Sequence, residues 1–220
     1  MRDSTLSVPY QTTDEASSPP RMNRRQAAKI RTRAKVVEAA RNLFAERGYD
    51  PATIRDIAKG AGMSTGAVFA NFQDKAELFE TVLTEDMERM AEVLKRGADV
   101  QGSTRDRLLS ALSAGYHQAL GQLPLVQAII ARSWFQPLAA EMRARAATKT
   151  LHLTVAEILR DGVSKGELRQ DVDVPLLGEM IWDAYQANYR KAAYDSADEK
   201  TLSKRLADQL DVILAGAVAR

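Results

Sequence analysis

The sequence predicts an all-α protein in which a small N-terminal unit is followed by a larger helical unit. Apolar residues recur at helical spacing along most of the 220 residues. No window alternates between apolar and polar residues with the period of two that a half-buried strand requires. Prolines stand only in the N-terminal tail or at helix starts, where a missing backbone N–H is tolerated. These three observations favour helices and exclude a sheet.

The N-terminal unit is predicted to contain four helices, each marked by a start or stop residue. Residues 1–20 are rich in Ser, Thr and Pro without apolar periodicity, so we expect a disordered tail there. Gly48 is expected to end the first helix in a left-handed conformation. Thr53, Ser64 and Asp74 are placed to cap the next three helices. The predicted helices cover about 24–48, 53–60, 64–71 and 75–96.

The larger unit is predicted to contain five further helices after Gly97. Each follows a cap or a proline, and no internal repeat of about 20 to 50 residues is present. The predicted ranges are about 105–120, 124–134, 137–165, 175–194 and 197–219. We therefore divide the chain into a tail (1–20), a basic arm with the small unit (21–80) and the larger unit (81–220). The boundary falls inside or beside the fourth helix.

Positive charge is concentrated near the N-terminus. The chain has a net charge of +2, but the segment 21–80 is more basic, because it has twelve bases and seven acids. Within it, residues 21–35 carry seven bases and no acid, the pattern of a stretch that binds a polyanion. A solvated helix face is the alternative for a short basic run taken alone.

Several chemistries are excluded because the chain lacks the residues for them. Without cysteine there is no disulfide, thiol nucleophile or cysteine-ligated metal. The two histidines lie 35 residues apart without nearby ligand-spaced carboxylates, so we predict neither a metal nor another cofactor. The sequence contains neither a glycine-rich phosphate loop nor a nucleophile paired with a base, so we do not expect an enzyme. Without a signal sequence or a membrane-spanning stretch, a cytoplasmic protein is expected.

The segment TIRDIAKGAGMSTGAVFANF, residues 53–72, meets the steric demands of a helix-turn-helix. Gly62 takes the turn, and Val68 fills the angle between the two helices. The third helix then presents a small and nearly uncharged face to solvent. We predict that this face lies in the major groove, where Thr65 and Gly66 approach base edges.

Residues around this recognition helix are suited to phosphate contacts. Hydroxyls, cations and free N–H groups occur at three helix N-termini, and the basic arm can enter the adjacent minor groove. The alternative is a packing unit with ordinary surface charges. We favour nucleic-acid binding because the turn, the small Ala58 where the two helices cross and the basic arm coincide. The predicted contacts are Arg24, Arg25, Arg33, Thr53, Arg55, Ser64 and Lys75.

The stretch 30–78, which contains AARNLFAERGYDPATIRDIAKGAGMSTGAVFANFQDKAEL, resembles the DNA-binding domain of TetR-family transcriptional regulators. Residues beyond 80 resemble the family only in helix layout. The resemblance implies a homodimer on a palindromic double-stranded DNA operator, with Thr65 and Gly66 on bases. Phe69 stands where the family usually has Tyr, so it offers an apolar contact in place of a phenol hydrogen bond. The implied backbone contacts are Thr53, Ser64, Phe69, Asn71 and Lys75.

Apolar stripes on the last two predicted helices fit either a dimer interface or the core of one protomer. Two such helices from each of two chains can form a four-helix interface. Two-fold binding to DNA and the family resemblance favour the dimer. The candidate interface residues are Leu177, Ile181, Leu206, Leu210 and Ile213.

The family resemblance also implies an effector pocket in the larger unit. Aromatic, methionine and histidine side chains are concentrated there, as suits a mostly apolar small molecule. An ordinary helix core is the alternative for each of them. The candidate pocket residues are Met90, Tyr116, His117, Trp134, Phe135, His152, Trp182 and Tyr185.

The leading hypothesis is a ligand-responsive transcriptional repressor that a small, mostly apolar effector releases from its operator. The fourth helix joins the two units, so the coupling is expected to pass through it. An activator with the same fold is one alternative. The other is a DNA-bound adaptor that recruits a protein partner, for which an exposed apolar patch on the helical unit is expected.

Overall fold

The computed structural model describes residues 24–219 and shows an all-α protein, as the sequence predicts. Within this range the extended pairing is limited to an isolated bridge between Leu168 and Val218. No helix in the described range is both long and apolar enough to cross a membrane. The predicted tail over 1–20 lies outside the described residues. The helices are α1 (Arg24–Arg47), α2 (Ile54–Gly60), α3 (Thr65–Phe69), α4 (Lys75–Ala98), α5 (Thr104–Leu120), α6 (Leu123–Ser133), α7 (Leu138–Ser164), α8 (Val174–Asp195) and α9 (Glu199–Ala215).

The N-terminal unit packs α1, α2, α3 and the first half of α4 around its own core. Phe44, Val68 and Leu78 are completely buried there. Burying a side chain of this size stabilises the fold by about 1.5–3 kcal/mol. Gly48 and Gly62 have φ angles of 79° and 67°, which confirms both predicted turns.

The larger unit packs α5, α7, α8, α9 and the second half of α4 around a second core. Tyr116 lies at its centre and stacks on Tyr185, with ring centroids 4.5 Å apart. The Tyr116 hydroxyl donates to the carbonyl of Tyr185 and accepts a hydrogen bond from the amide of Asn188. Burial raises the pKa of Tyr116 well above its ordinary value, so its hydroxyl stays protonated. These bonds satisfy polar groups that the core would otherwise leave unpaired.

Two helices tie the cores together. Helix α4 contributes Leu78 to the first core and Leu94 to the second. Helix α6 lies against α1, and its Leu125 is completely buried in the N-terminal core. The boundary proposed near residue 80 therefore falls within a continuous helix, and α6 contacts both units.

Helix α4 is longer than predicted, because it runs through Gly97 instead of stopping before it. The glycine permits a close approach of α5. A Cβ atom at Gly97 would lie 2.8 Å from the Cα of Ala111 and 3.1 Å from the carbonyl oxygen of Ser110. Gly97 therefore allows α4 and α5 to pack closely and does not end the helix.

The last helix is shorter than predicted and ends at Ala215 rather than near residue 219. The chain leaves the helix because it pairs with the segment 167–169. The backbone N–H of Arg169 donates to the carbonyl of Ala217 at 2.8 Å, and that of Ala219 donates to the carbonyl of Glu167 at 3.1 Å. These non-local bonds outcompete further helical turns.

Most of the apolar stripe on α8 and α9 faces the core of its own protomer. Four of the five candidate interface residues are buried within the single chain, and buried side chains are not available to a second copy. For these four residues the burial favours the alternative, in which the stripe belongs to the core of one protomer. Ile213 is partly exposed and lines a shallow surface depression. The four buried residues are Leu177, Ile181, Leu206 and Leu210.

Candidate nucleic-acid interface and ligand cavity

Local hydrogen bonds build the helix-turn-helix formed by α2 and α3. The Thr53 hydroxyl accepts from the backbone N–H of Asp56 at 3.1 Å and caps α2. The Ser64 hydroxyl accepts from the backbone N–H of Ala67 at 3.2 Å and caps α3. These caps satisfy N–H groups that a helix start leaves unpaired. The starts of α2 and α3 are thus fixed by the residues that immediately precede each helix.

The outer face of α3 is small, uncharged and accessible. Thr65 and Gly66 are exposed, as the sequence predicts for a face that approaches DNA bases. A Cβ atom at Gly66 would meet only the Ser64 hydroxyl, at 3.8 Å, so the space in front of it is open. Phe69 is 55% exposed. A close-fitting partner can therefore reach the backbone of this helix.

Three of the predicted cations lie at the protein surface. Arg55 is exposed on the first turn of α2, and it has no ion pair within the described residues. Arg24 and Arg25 are exposed on the first turn of α1, which extends the basic arm as a helix. Their placement leaves these guanidinium groups accessible to a polyanion.

Lys75, by contrast, is engaged inside the protein. Its ammonium group donates to the carbonyl oxygens of Tyr49 at 3.0 Å, Asp50 at 3.3 Å and Ala52 at 3.0 Å. It also lies 4.2 Å from the centre of the Tyr49 ring. Since an ammonium has three donors, this lysine has none left for a phosphate in this conformation. It fixes the loop that leads into α2.

Arg33 and Asn71 are likewise turned toward the protein. The Arg33 guanidinium donates to the carbonyl of Asn71 at 2.8 Å and to the hydroxyl of Thr81 at 3.3 Å. It also lies 4.0 Å from the centre of the Phe72 ring. The Asn71 amide donates to the carbonyl of Ala67 at 2.9 Å, and its side-chain oxygen is buried without a partner. Both residues hold the end of α3 against α1 and α4.

A cavity of about 690 Å³ lies between α4, α6, α7 and α8. Two of the candidate pocket residues line it, His152 and Trp182, whose rings meet edge to face at 4.8 Å. The volume is within the range of small-molecule sites. Its apolar lining residues include Phe79, Leu83, Ile129, Ile130, Leu153 and Val174.

The other candidate pocket residues lie elsewhere. Tyr116, Tyr185 and Met90 are buried in the core of the larger unit. Trp134 and Phe135 are 80% and 91% exposed at the corner between α6 and α7. The sixth, His117, is exposed and forms a hydrogen bond of 2.7 Å with Glu199.

Positive charge prevails on the cavity wall. Arg132, Arg145, Lys149 and Arg160 line it together with two acids, Glu141 and Glu179. Hydrogen bonds from Arg145 at 2.6 Å and from Gln136 at 2.7 Å lower the pKa of Glu141, so this carboxylate is already partnered. Burial lowers the pKa of His152, which favours the neutral imidazole.

The sequence interpretation missed Arg132, which contacts both the cavity and the helix-turn-helix unit. Its guanidinium lies 4.0 Å from the ring centre of Tyr49 and 5.5 Å from that of Phe79. It also lines the large cavity and a smaller one of about 210 Å³ beside it. Nothing in the local sequence marks this arginine, because Tyr49 is 83 positions away in the chain.

Two family models match the chain. One, described as bacterial regulatory proteins of the tetR family, matches residues 36–82. The other, the C-terminal domain of TetR/AcrR family transcriptional repressors, matches residues 129–216. The first covers the helix-turn-helix, and the second covers the last turns of α6 through α9.

Curated relatives are transcriptional regulators of the helix-turn-helix type. The chain is 34% identical over 151 residues to the repressor Rv1474c of Mycobacterium tuberculosis, which involves 66% of this chain and 79% of that protein. It is 27% identical over 189 residues to the regulator UidR of Escherichia coli K12, with 83% and 93% covered.

Solved structures share the whole architecture. The regulator FadR from Bacillus subtilis, in complex with stearoyl-CoA, has a TM-score of 0.72 at 20% identity and covers 83% of this chain and 98% of its own. A putative TetR-family regulator from Mesorhizobium loti has a TM-score of 0.70 at 17% identity, with 87% and 98% covered. At this identity the likeness shows the fold.

Proposed function

Because the chain belongs to the TetR family of transcriptional regulators, we propose that it is a repressor that binds a palindromic operator as a homodimer. A small, mostly apolar effector releases it. In this proposal residues 21–80 bind DNA in the cytoplasm, and residues 81–220 hold the effector and the dimer interface. The single observation that carries DNA recognition is the accessible, uncharged outer face of α3.

The bases are read by Thr65 and Gly66, and Phe69 provides an apolar contact. Thr65 offers a hydroxyl and a methyl group, and Gly66 lets the helix backbone approach closely. Phosphates are contacted by the exposed cations at the helix starts and by the hydroxyls and N–H groups of the capped turns. Lys75, Arg33 and Asn71 act by holding the α2–α3 unit in shape. The proposed phosphate contacts are Arg24, Arg25, Thr53, Arg55 and Ser64.

The homodimer is proposed to form through the outer faces of α8 and α9, not through their buried stripes. Leu176 and Met180 are exposed one turn apart on α8, and Val212 is 77% exposed on α9 beside Ile213. The oppositely charged side chains of Arg205 and Asp208 border the surface depression that Val212 and Ile213 line. Such a mixed surface can pair with itself across a two-fold axis.

The effector is proposed to occupy the cavity between α4, α6, α7 and α8. Its lining combines apolar side chains with a few polar tips, as small-molecule sites do. FadR of Bacillus subtilis, which shares the fold, is in complex with stearoyl-CoA, a ligand with a long apolar chain. This comparison supports a binding role for the larger unit and the mostly apolar character of its ligand.

The proposal is tested by selecting DNA from a randomised duplex pool with the full-length protein at two salt concentrations. Enrichment of one palindrome supports a dimeric repressor that reads bases. Thr65→Ala should then change the preferred bases, whereas Arg24→Ala should weaken binding to all sequences and reduce the salt dependence. Salt-sensitive binding without enrichment contradicts operator recognition.

A DNA-bound adaptor is the second candidate function, and one observation favours it. The corner between α6 and α7 exposes a cluster of large apolar side chains, an arrangement often found at protein interfaces. Nonspecific binding in the duplex selection, together with full DNA binding in the presence of every apolar compound tested, would favour the adaptor. The cluster consists of Trp134, Phe135, Leu138 and Met142.

A further inference from the structure

Arg132 occupies an unusual position, because it belongs at once to the cavity wall and to the surface of the helix-turn-helix unit. Its guanidinium lies against the rings of Tyr49 and Phe79. Among the described residues it has no carboxylate partner and no hydrogen bond. A planar group with five N–H donors thus borders a cavity without an acceptor of its own.

The surrounding wall shares this excess of positive charge. Lys149 and Arg160 also lack an acidic partner within the described range, and the carboxylate of Glu141 is already bound by Arg145 and Gln136. With Glu179 as the second acid, the wall has four cations and two acids. The cavity therefore lowers the energy of an anionic group that enters it.

The cavity is also long, and apolar side chains line it between the charged ones. The lining residues of α7 follow one face of that helix from Glu141 to Arg160. At 1.5 Å per residue this face spans about 28 Å. Between the ends lie the apolar side chains of Leu153 and Ala156 and the ring of Trp182. Polar and cationic side chains of α7, including Lys149 and His152, lie among them. The shape and lining suit an extended hydrocarbon chain.

We propose that the cavity binds a long-chain carboxylate whose acid group pairs with Arg132. This inference rests on the proposed function and names the chemical class of its effector. The chain of the ligand lies along α7, and its carboxylate accepts two hydrogen bonds from the guanidinium. The remaining wall cations attract the anion but do not contact the helix-turn-helix unit.

The same contact explains how the ligand reaches the DNA-binding surface. Pairing with a carboxylate draws the Arg132 guanidinium into the cavity and away from Tyr49. The carbonyl of Tyr49 is one of the three that Lys75 binds, and these precede the Thr53 cap of α2. The ligand consequently favours a conformer in which the α2–α3 unit is held differently.

The experiment measures palmitate binding and DNA release with the full-length protein. The chain has two tryptophans, and Trp134→Phe leaves Trp182, which lines the cavity, as the only tryptophan for selective excitation. Palmitate is compared with hexadecanol, which has the same chain without the charge, and with palmitoyl-CoA, whose anionic group is bulkier. We expect palmitate to change the Trp182 emission and to weaken binding to DNA.

Variants of Arg132 identify the partner of the acid group. Arg132→Gln should weaken palmitate binding by about 10- to 100-fold, because a charge-assisted pair is lost, and should abolish DNA release. Arg132→Lys should restore part of the binding, since the charge remains. The matched control is Arg190→Gln, which removes an arginine that lies 5.6 Å from the ring of Tyr194, away from the cavity.

Three results would overturn the inference. Equal binding of hexadecanol and palmitate would show that charge is irrelevant, and binding of palmitoyl-CoA alone would assign the cavity to a bulkier anion. Unchanged release of DNA by palmitate in Arg132→Gln would show that this arginine does not couple the cavity to the DNA-binding surface. None of these outcomes affects the duplex selection, which contains no ligand, so failure here remains distinguishable from failure of the proposed repressor.

Discussion

Replacing Arg33 distinguishes a structural arginine from one that contacts DNA. In the structure its guanidinium donates to the Asn71 carbonyl and the Thr81 hydroxyl and lies over the Phe72 ring. Arg33→Ala removes all three interactions at a partly buried site. A hydrogen bond from a charged group contributes about 1.5 kcal/mol or more, and a cation–π contact about 0.5–1 kcal/mol. Because the site is only partly buried, solvent weakens these interactions and they do not add in full, so we expect a loss of about 2 kcal/mol of unfolding free energy.

The assay combines thermal unfolding with DNA affinity at several salt concentrations. For a chain of this size, 2 kcal/mol corresponds to a decrease in Tm of about 4–8 °C. Arg31→Ala, an exposed arginine on the same helix, is the matched control and should leave Tm unchanged. The salt slope of DNA binding should also be unchanged in Arg33→Ala, because no phosphate contact is lost. A normal Tm with a slope smaller by about 0.9 would refute this reasoning and return Arg33 to the DNA interface.

Three further substitutions test the packing, the cavity and the α1–α4 contact. Gly97→Ala places a methyl group against the backbone of Ala111 and should cost about 1–3 kcal/mol, measured by denaturant unfolding. His152 should titrate below its ordinary pKa in NMR spectra, because burial disfavours the charged ring. The unfolding free energy should therefore fall as the pH drops below about 6.5. His152→Gln should remove that part of the pH dependence. Asp86→Ala should lower Tm, since this buried carboxylate on α4 accepts from Arg41 on α1 at 3.2 Å; an unchanged Tm would mean that the pair contributes nothing.

Local signals explain why the helix starts could be predicted well. The caps Thr53, Ser64 and Asp74 each bond to a backbone N–H within three residues, so the information is contained in a few neighbouring positions. The left-handed turns at Gly48 and Gly62 are equally local. Fold class and the helix-turn-helix follow from such signals because they depend on spacing along the chain.

The environment of individual side chains could not be predicted in the same way. Tyr116 and Trp134 are both aromatic residues of the larger unit, yet the first is completely buried in the core and the second is 80% exposed. Residue type predicts how much apolar surface is available to bury, not which helix will cover it. For Lys75 the sequence reveals the charge, but the three carbonyls that it binds lie 23 to 26 positions earlier.

Helix α6 changes the expected route between the cavity and the DNA-binding surface. The sequence indicates α4 as the connection, and Phe79 on α4 does line the cavity while it packs in the N-terminal core. Ile129 on α6 does the same, and Leu125 of that helix is completely buried in the N-terminal core. Well-packed cores do not deform freely, so a ligand that displaces either wall must displace part of the core that supports α2 and α3. With Arg132 on the ring of Tyr49, α6 therefore gives the cavity a second connection to the same unit, beside that of α4.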